Sequence, residues 1–195
     1  SSGQWYKIAE RYDPVTNQWE TLPPLSIPRP AVASATLNGK LYAIGGQNSS
    51  TVEIFDPQTG QWSAGPALPG EVNHGTAITV GGKILLVGGN DGSQYINQVL
   101  ELNPATNQWT QKTAMPTARY GAKLVFLAGK VWAIGGRGEN GGHVGKVEAY
   151  DIATDTWATV ASLITIRQWP SAWTIGGKIY IAGGANTSGV YLSSI

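Results

Sequence analysis

The sequence is built from four copies of one unit. An apolar run ends in a glycine doublet at Gly45-Gly46, Gly88-Gly89, Gly135-Gly136 and Gly183-Gly184, and a tryptophan recurs at Trp19, Trp62, Trp109 and Trp157. The intervals are 43, 47 and 48 residues for both markers. Two independent markers that drift by the same amounts mean that whole units were repeated, with length changes confined to shared loops. A unit this short cannot bury a core alone, so neighbours must stack. A period near this length is that of a propeller blade.

The unit around Gly45 reads most clearly as a blade. Residues 31–37 read as a buried strand, Asn38-Gly39 as a two-residue hairpin turn, and 40–44 as the strand that ends at the doublet. Residues 51–55 alternate as a third strand, Asp56-Pro57-Gln58-Thr59-Gly60 makes a turn, and 61–63 is a short fourth strand. Hairpin signals recur at Gly81-Gly82, Ala128-Gly129 and Gly176-Gly177, and a Thr or Asp/Asn cap is expected in each turn before a Trp. No helical pattern of useful length appears.

The chain opens in a third strand and its last doublet follows a second strand, so whole strands total four blades. The sequence therefore predicts an all-β propeller of four four-stranded blades. The units are 29–69, 70–116 and 117–163, with a closing blade built from 170–195 together with 4–25. The alternatives are an eight-bladed ring from two chains and an arc belonging to a larger propeller.

Composition narrows the function classes. The net charge is +1 with 13% charged residues and no basic stripe or acidic tail, so neither nucleic acid nor a membrane surface is an expected partner. There is no Cys, which excludes disulfides, thiolate catalysis and Cys-ligated metals. No apolar run approaches the length of a membrane-spanning helix. Few lysines and abundant Thr, Asn, Gln and Gly lean toward a secreted or surface setting.

The residues from Arg29 to Trp62, running Arg29, then LNGKLYAIGG, then TVEIFDPQTGQW, resemble the kelch repeat. Doublet, preceding aromatic (Tyr42, Trp132, Tyr180), third-strand Glu and fourth-strand Trp recur in order through the chain. The second unit departs, with Leu85 at the aromatic position and Val72 where three other units place Arg. Members of that family usually have six or seven blades; their commonest role is protein recognition by one face of the ring, and some are enzymes.

The resemblance implies that two sets of loops gather at one mouth of the channel. The loops within units carry Asn48, Asp91, Arg137, Glu139, His143 and Asn186, and those between units carry Arg29, His74, Arg119, Tyr120, Arg167 and Trp169. Arg29, Arg119 and Arg167 stand eight residues before the ends of their first strands, at Leu37, Leu127 and Ile175. Either they ring the mouth for an acidic peptide or carboxylate, or they brace backbone carbonyls. Arg137, Tyr120 and Trp169 break their repeat positions, which marks them as a ligand cation and as stacking or anchoring platforms, or as packing. His74 and His143 lie two units apart without a carboxylate pair at ligand spacing, so no metal and no cofactor is expected. The run Gly136-Arg137-Gly138-Glu139-Asn140-Gly141 fits a dinucleotide fingerprint, but no helical pattern follows to bind the phosphates.

The expected function is a non-enzymatic binding module that takes a protein, a peptide or an acidic small ligand at the mouth, as a monomer or a ring-forming homodimer. A second reading is a carbohydrate-active enzyme, since the resembling family includes sialic acid epimerases and galactose oxidase-like copper oxidases. The copper enzymes need a Cys-Tyr crosslink that this chain cannot make. An epimerase or glycosidase needs paired carboxylates, and Glu71, Asp91 and Glu139 are the obvious acids in these loops. A third reading is a structural arc whose role is self-assembly.

Overall fold

The computed structural model describes residues 6–138, 141–186, 188 and 191. β1 (Ala9–Asp13) and β2 (Gln18–Leu22) pair as a two-stranded sheet. The first complete blade is β3 (Ala33–Leu37), β4 (Lys40–Ile44), β5 (Val52–Asp56) and β6 (Gln61–Ala64), and the second is β7 (Thr76–Val80), β8 (Lys83–Asn90), β9 (Tyr95–Asn103) and β10 (Gln108–Lys112). The third unit contains β11 (Arg119–Tyr120), β12 (Lys123–Leu127), β13 (Lys130–Ile134), β14 (Arg137–Gly138), β15 (Val147–Asp151) and β16 (Thr156–Thr159). Its blade is β12-β13-β15-β16, while β11 and β14 pair separately. β17 (Ser171–Ile175) and β18 (Lys178–Ala182) form a last two-stranded sheet.

Every blade is antiparallel and joined by the turns the sequence announces. Asn38, Gly81, Ala128 and Gly176 have φ of 51, 58, 52 and 57°, each followed by a glycine at 72–77°. Two left-handed residues in succession make the type I′ turn, whose twist matches that of the strands it joins. The turn before each Trp is held by an Asx side chain: the Oδ1 atoms of Asp13, Asp56, Asn103 and Asp151 accept from the amide two residues on at 2.8–3.0 Å.

The core lies between blades. Ile44, Leu68, Ile84, Leu86 and Leu100 pack together across the first and second, Leu85, Val99, Met115, Val131 and Tyr150 across the second and third, and Ile134, Val147 and Ala172 across the third and β17. In the three complete blades the fourth-strand indole reaches back one unit: Trp62, Trp109 and Trp157 donate to the carbonyls of Pro23, Pro66 and Thr113 at 2.8, 2.8 and 2.9 Å. The doublets explain themselves at the same seams. A Cβ on Gly45, Gly88 or Gly135 would stand 2.5, 2.4 or 2.5 Å from the carbonyl oxygen of Val72, Arg119 or Arg167 in the next unit.

Two of the repeated arginines are buried against a glutamate of the third strand. Arg29 Nε meets Glu53 at 2.9 Å and Arg119 meets Glu148 at 2.7 Å. Both guanidiniums also donate to backbone carbonyls, Arg29 to Gly45 and Thr51, Arg119 to Ala133 and Lys146. In the second unit Val72 replaces the arginine, and Leu100, nine residues before Trp109 as Glu53 is before Trp62, replaces the glutamate. Both lie in the apolar core. Charge has been exchanged for packing at both positions together, the substitution that costs least at a buried ion pair.

The shared closing blade expected from the sequence does not form among the described residues. β1–β2 and β17–β18 stand as separate two-stranded sheets. The inner strands follow one another as β3, β7, β12 and β17, each against the next. Closure after four units would demand the tightest curvature a propeller takes. Trp19, which would serve such a blade, is 68% exposed.

Two stability outcomes follow. Glu148→Gln leaves Arg119 buried without its counter-charge and should cost about 3–5 kcal/mol in denaturant unfolding. Arg119→Val combined with Glu148→Leu, copying the second unit, should recover most of that loss. Ala128→Asn places a residue that tolerates the left-handed region where alanine now sits, and should raise stability by up to about 1 kcal/mol.

Candidate functional site

Each unit enters its inner strand through a left-handed residue. Ala31, His74, Gly121 and Trp169 occupy equivalent positions with φ of 59, 52, 63 and 49°. Only one is glycine, so the surroundings must enforce a conformation the other three disfavour. A chain of backbone bonds does so: His74 N donates to Ala31 O at 3.0 Å, Gly121 N to His74 O at 3.5 Å, and Trp169 N to Gly121 O at 3.2 Å. One step outward, the preceding residue pairs with the residue after each doublet. Gln47 N donates to Pro30 O, Asn73 exchanges two bonds with Asn90, Tyr120 faces Arg137, and Gln168 exchanges two bonds with Ala185. The backbone frame is thus the same in four units, while the side chains on it all differ.

Those side chains build an aromatic cradle. Tyr120 lies 5.0 Å from the His74 ring, 5.3 Å from Tyr95 in a stacked arrangement, and 6.2 Å from Trp169. Trp169 is 52% exposed. Its indole passes over Gly121, where a Cβ would come within 2.5 Å of Nε1, so glycine there is what lets the indole lie across the rim. Arg137 donates to the Gly141 carbonyl at 3.0 Å and approaches the Tyr120 hydroxyl at 3.5 Å. A cavity of about 260 Å³ opens among Ala31, His74, Thr76, Lys123, Trp169 and Pro170. A second, of about 290 Å³, shares His74 and is walled by Gln47, Asn48, Asn73, Asn90 and Gly92. Asn48 N donates to Asn73 Oδ1 at 3.0 Å, and Asn73 Nδ2 to Asn90 Oδ1 at 3.1 Å.

Of the residues the sequence proposed, His74, Tyr120, Arg137 and Trp169 come together, with Asn48 beside them. The His143 backbone bridges to Arg137, which holds the loop against β14. Asp91 builds a turn, its Oδ1 accepting from Ser93 N and Gln94 N at 2.9 Å each, and these bonds hold its carboxyl below the usual range. Asn186 likewise accepts from Ser188 N at 3.0 Å. Glu139 lies outside the described residues. The guanidinium ring is corrected: Arg29, Arg119 and Arg167 are buried, and Arg167 donates to the carbonyls of Thr165 and Gly183. They brace the backbone instead of lining the mouth. Among the described residues no group of three His, Asp or Glu is placed to hold a metal ion.

Asn73 and Asn90, which the sequence places in the mouth loops beside His74 and Asp91, complete the site together with Tyr95, which was not singled out from the sequence. β8 and β9 continue past their doublet with a bulge between Val87 and Gly89, which carries Tyr95 opposite Asn90 and up to the rim. The available signal was the long apolar and amide run after Gly92, which reads as loop beside the other units.

His74 is exposed at the rim, and partial desolvation there holds its imidazole below its ordinary value of 6.5. The unfolded chain therefore takes up this proton first. The His74 contribution to stability is complete above pH 6.5 and declines as pH falls through the lower folded-state value. An NMR titration should place His74 below that figure, and His74→Phe should remove this part of the acid sensitivity.

The comparisons with known proteins agree with this architecture. A model of the KLHDC2/KLHL20/DRC7 Kelch-repeats domain matches residues 3–184. Kelch-like protein 4 of Homo sapiens is 52% identical over 42 residues, 22% of this chain and 6% of that protein. Kelch-like ECH-associated protein 1A of Danio rerio is 48% identical over 40 residues, 20% of this chain and 7% of that protein. The matched stretches thus span less than a tenth of these relatives' length. A solved structure described as "Structure of YjhT" superposes with a TM-score of 0.78 at 20% identity, covering 87% of this chain and 63% of that one, and it shares the fold. The chain belongs to the kelch-repeat family.

Proposed function

We propose that this chain is a non-enzymatic recognition module that binds a protein segment at the mouth, with Trp169, Tyr120 and His74 as the anchoring surface. The observation that carries the reading is the contrast at the rim. Four units keep one hydrogen-bonded backbone, yet place Ala, His, Gly and Trp on its inner positions. A rigid frame bearing divergent side chains is how scaffolds present binding surfaces. Tyr and Trp give large contact area at small entropic cost, and Arg, Tyr and Trp dominate interface energetics. Arg137 and Lys123 add cations, and the asparagine amides add donors and acceptors for a peptide backbone. Membership of the kelch family supports the same class, and one relative is named for its association with another protein.

Selection of binding peptides from a random display library on the immobilised chain supplies the probe. The selected peptide should bind Trp169→Ala and Tyr120→Ala at least about tenfold more weakly, a loss of about 1.4 kcal/mol. Gln111→Ala, on the exposed outer strand β10, should bind as the parent chain does. Equal binding by a Trp169→Ala/Tyr120→Ala double variant would remove the mouth as the site.

A further inference from the structure

We propose that Gly121 is the specificity-determining position of the mouth: having no side chain, it seats the Trp169 indole across the cavity, where the indole N–H donates to a carbonyl oxygen of the bound segment. This rests on the reading of the mouth as a site for a protein segment. The backbone does not demand glycine at this position. Ala31 stands at the equivalent place in the first unit with φ of 59°, against 63° at Gly121, and it carries a side chain. Left-handed backbone is the usual reason for a glycine, so the reason here lies in what surrounds the residue.

A Cβ on Gly121 would stand 2.5 Å from Trp169 Nε1, 2.6 Å from Cδ1 and 3.4 Å from Cε2. The pyrrole side of the ring therefore occupies the space that an alanine methyl would fill. These three atoms are the nearest to that Cβ, so a methyl group there displaces the ring and meets nothing else as closely. The indole has no easy retreat, because the Trp169 amide donates to the Gly121 carbonyl at 3.2 Å. Backbone and side chain of one residue thus rest on the same glycine, with the Tyr120 ring 6.2 Å away on one flank. Gly121 and Trp169 line the cavity of about 260 Å³ together with His74 and Lys123, so the pose of the ring sets the shape of that cavity.

The indole N–H supplies the directional part. Trp62, Trp109 and Trp157 spend theirs on carbonyls of the preceding unit, and Trp132 donates to the Leu127 carbonyl at 3.1 Å. The Trp169 indole makes no hydrogen bond among the described residues, and the residue is half exposed. Trp19 and Trp173 share that state but do not line the cavity. A segment that settles on the Trp169 ring removes water from it. An indole offers a donor and no acceptor, and a buried donor left unpaired is costly. The segment must therefore bring an oxygen to it, and every peptide unit carries one on its carbonyl. The Thr76 hydroxyl does not compete for that oxygen, since it donates to the Ala122 carbonyl at 2.8 Å.

The probe is the peptide selected by display on the parent chain. Gly121→Ala should bind it at least about tenfold more weakly. Gly81→Ala is the control for backbone strain, since Gly81 has φ of 58° and a Cβ there meets nothing within 4 Å; it should bind as the parent chain does. Replacing Trp169 by 3-benzothienylalanine keeps the ring shape, exchanges the N–H for sulfur, and should weaken binding about threefold to tenfold. A second selection, made on Gly121→Ala, should return peptides that prefer that variant, so that the ratio of the two affinities inverts between the two chains. A fold merely weakened by the methyl group would lower both affinities together, and that result overturns the proposal. Parent-like binding of the first peptide by Gly121→Ala or by the benzothienylalanine chain also overturns it, and loss on Trp169→Ala then leaves the mouth as the site. Parent-like binding by the Trp169→Ala/Tyr120→Ala double variant removes both readings.

Discussion

The contact between a glycine doublet and the carbonyl of the next unit sets the geometry of everything else. The oxygens of Val72, Arg119 and Arg167 fill the space a side chain would need at Gly45, Gly88 and Gly135. Gly46 N and Gly136 N then donate to the Val72 and Arg167 oxygens at 3.0 and 3.1 Å. The same residues are gripped from the other side. Arg119 is anchored by a buried ion pair and carbonyl bonds, and Val72 by the apolar core. A backbone clamped from both directions has little freedom left, and the residue two positions on is the left-handed one that forms the rim. The strain at Ala31, His74 and Trp169 is thus carried by interblade seams instead of by the rim residues themselves.

This division explains what the sequence disclosed. The doublets, the type I′ turns and the fourth-strand tryptophans are local chemical requirements, met by one or two residue types at fixed spacing, so they could be read off directly. The brace was legible only as one of two choices, because an arginine's partner depends on which strand lies beside it. Glu53 and Glu148 become that partner only when the third strand docks. The cradle was half legible. Trp169 and Tyr120 stood out by breaking the repeat, whereas Tyr95 reaches the rim through an extension of β8 and β9 that no local signal separates from a loop. Closure was the least legible feature, since strand phase counts blades but says nothing of curvature, which is the sum of small rotations at each seam.

The second unit shows how tolerant the seam is. It lacks both the arginine and the glutamate, yet its doublet meets the Arg119 carbonyl as closely as the others meet theirs. Two different interiors therefore deliver one backbone. Side chains within a blade can change in matched pairs without moving the rim, and side chains on the rim can change without loosening the blade. Recognition and stability are separable here because they are written on opposite ends of the same short segments.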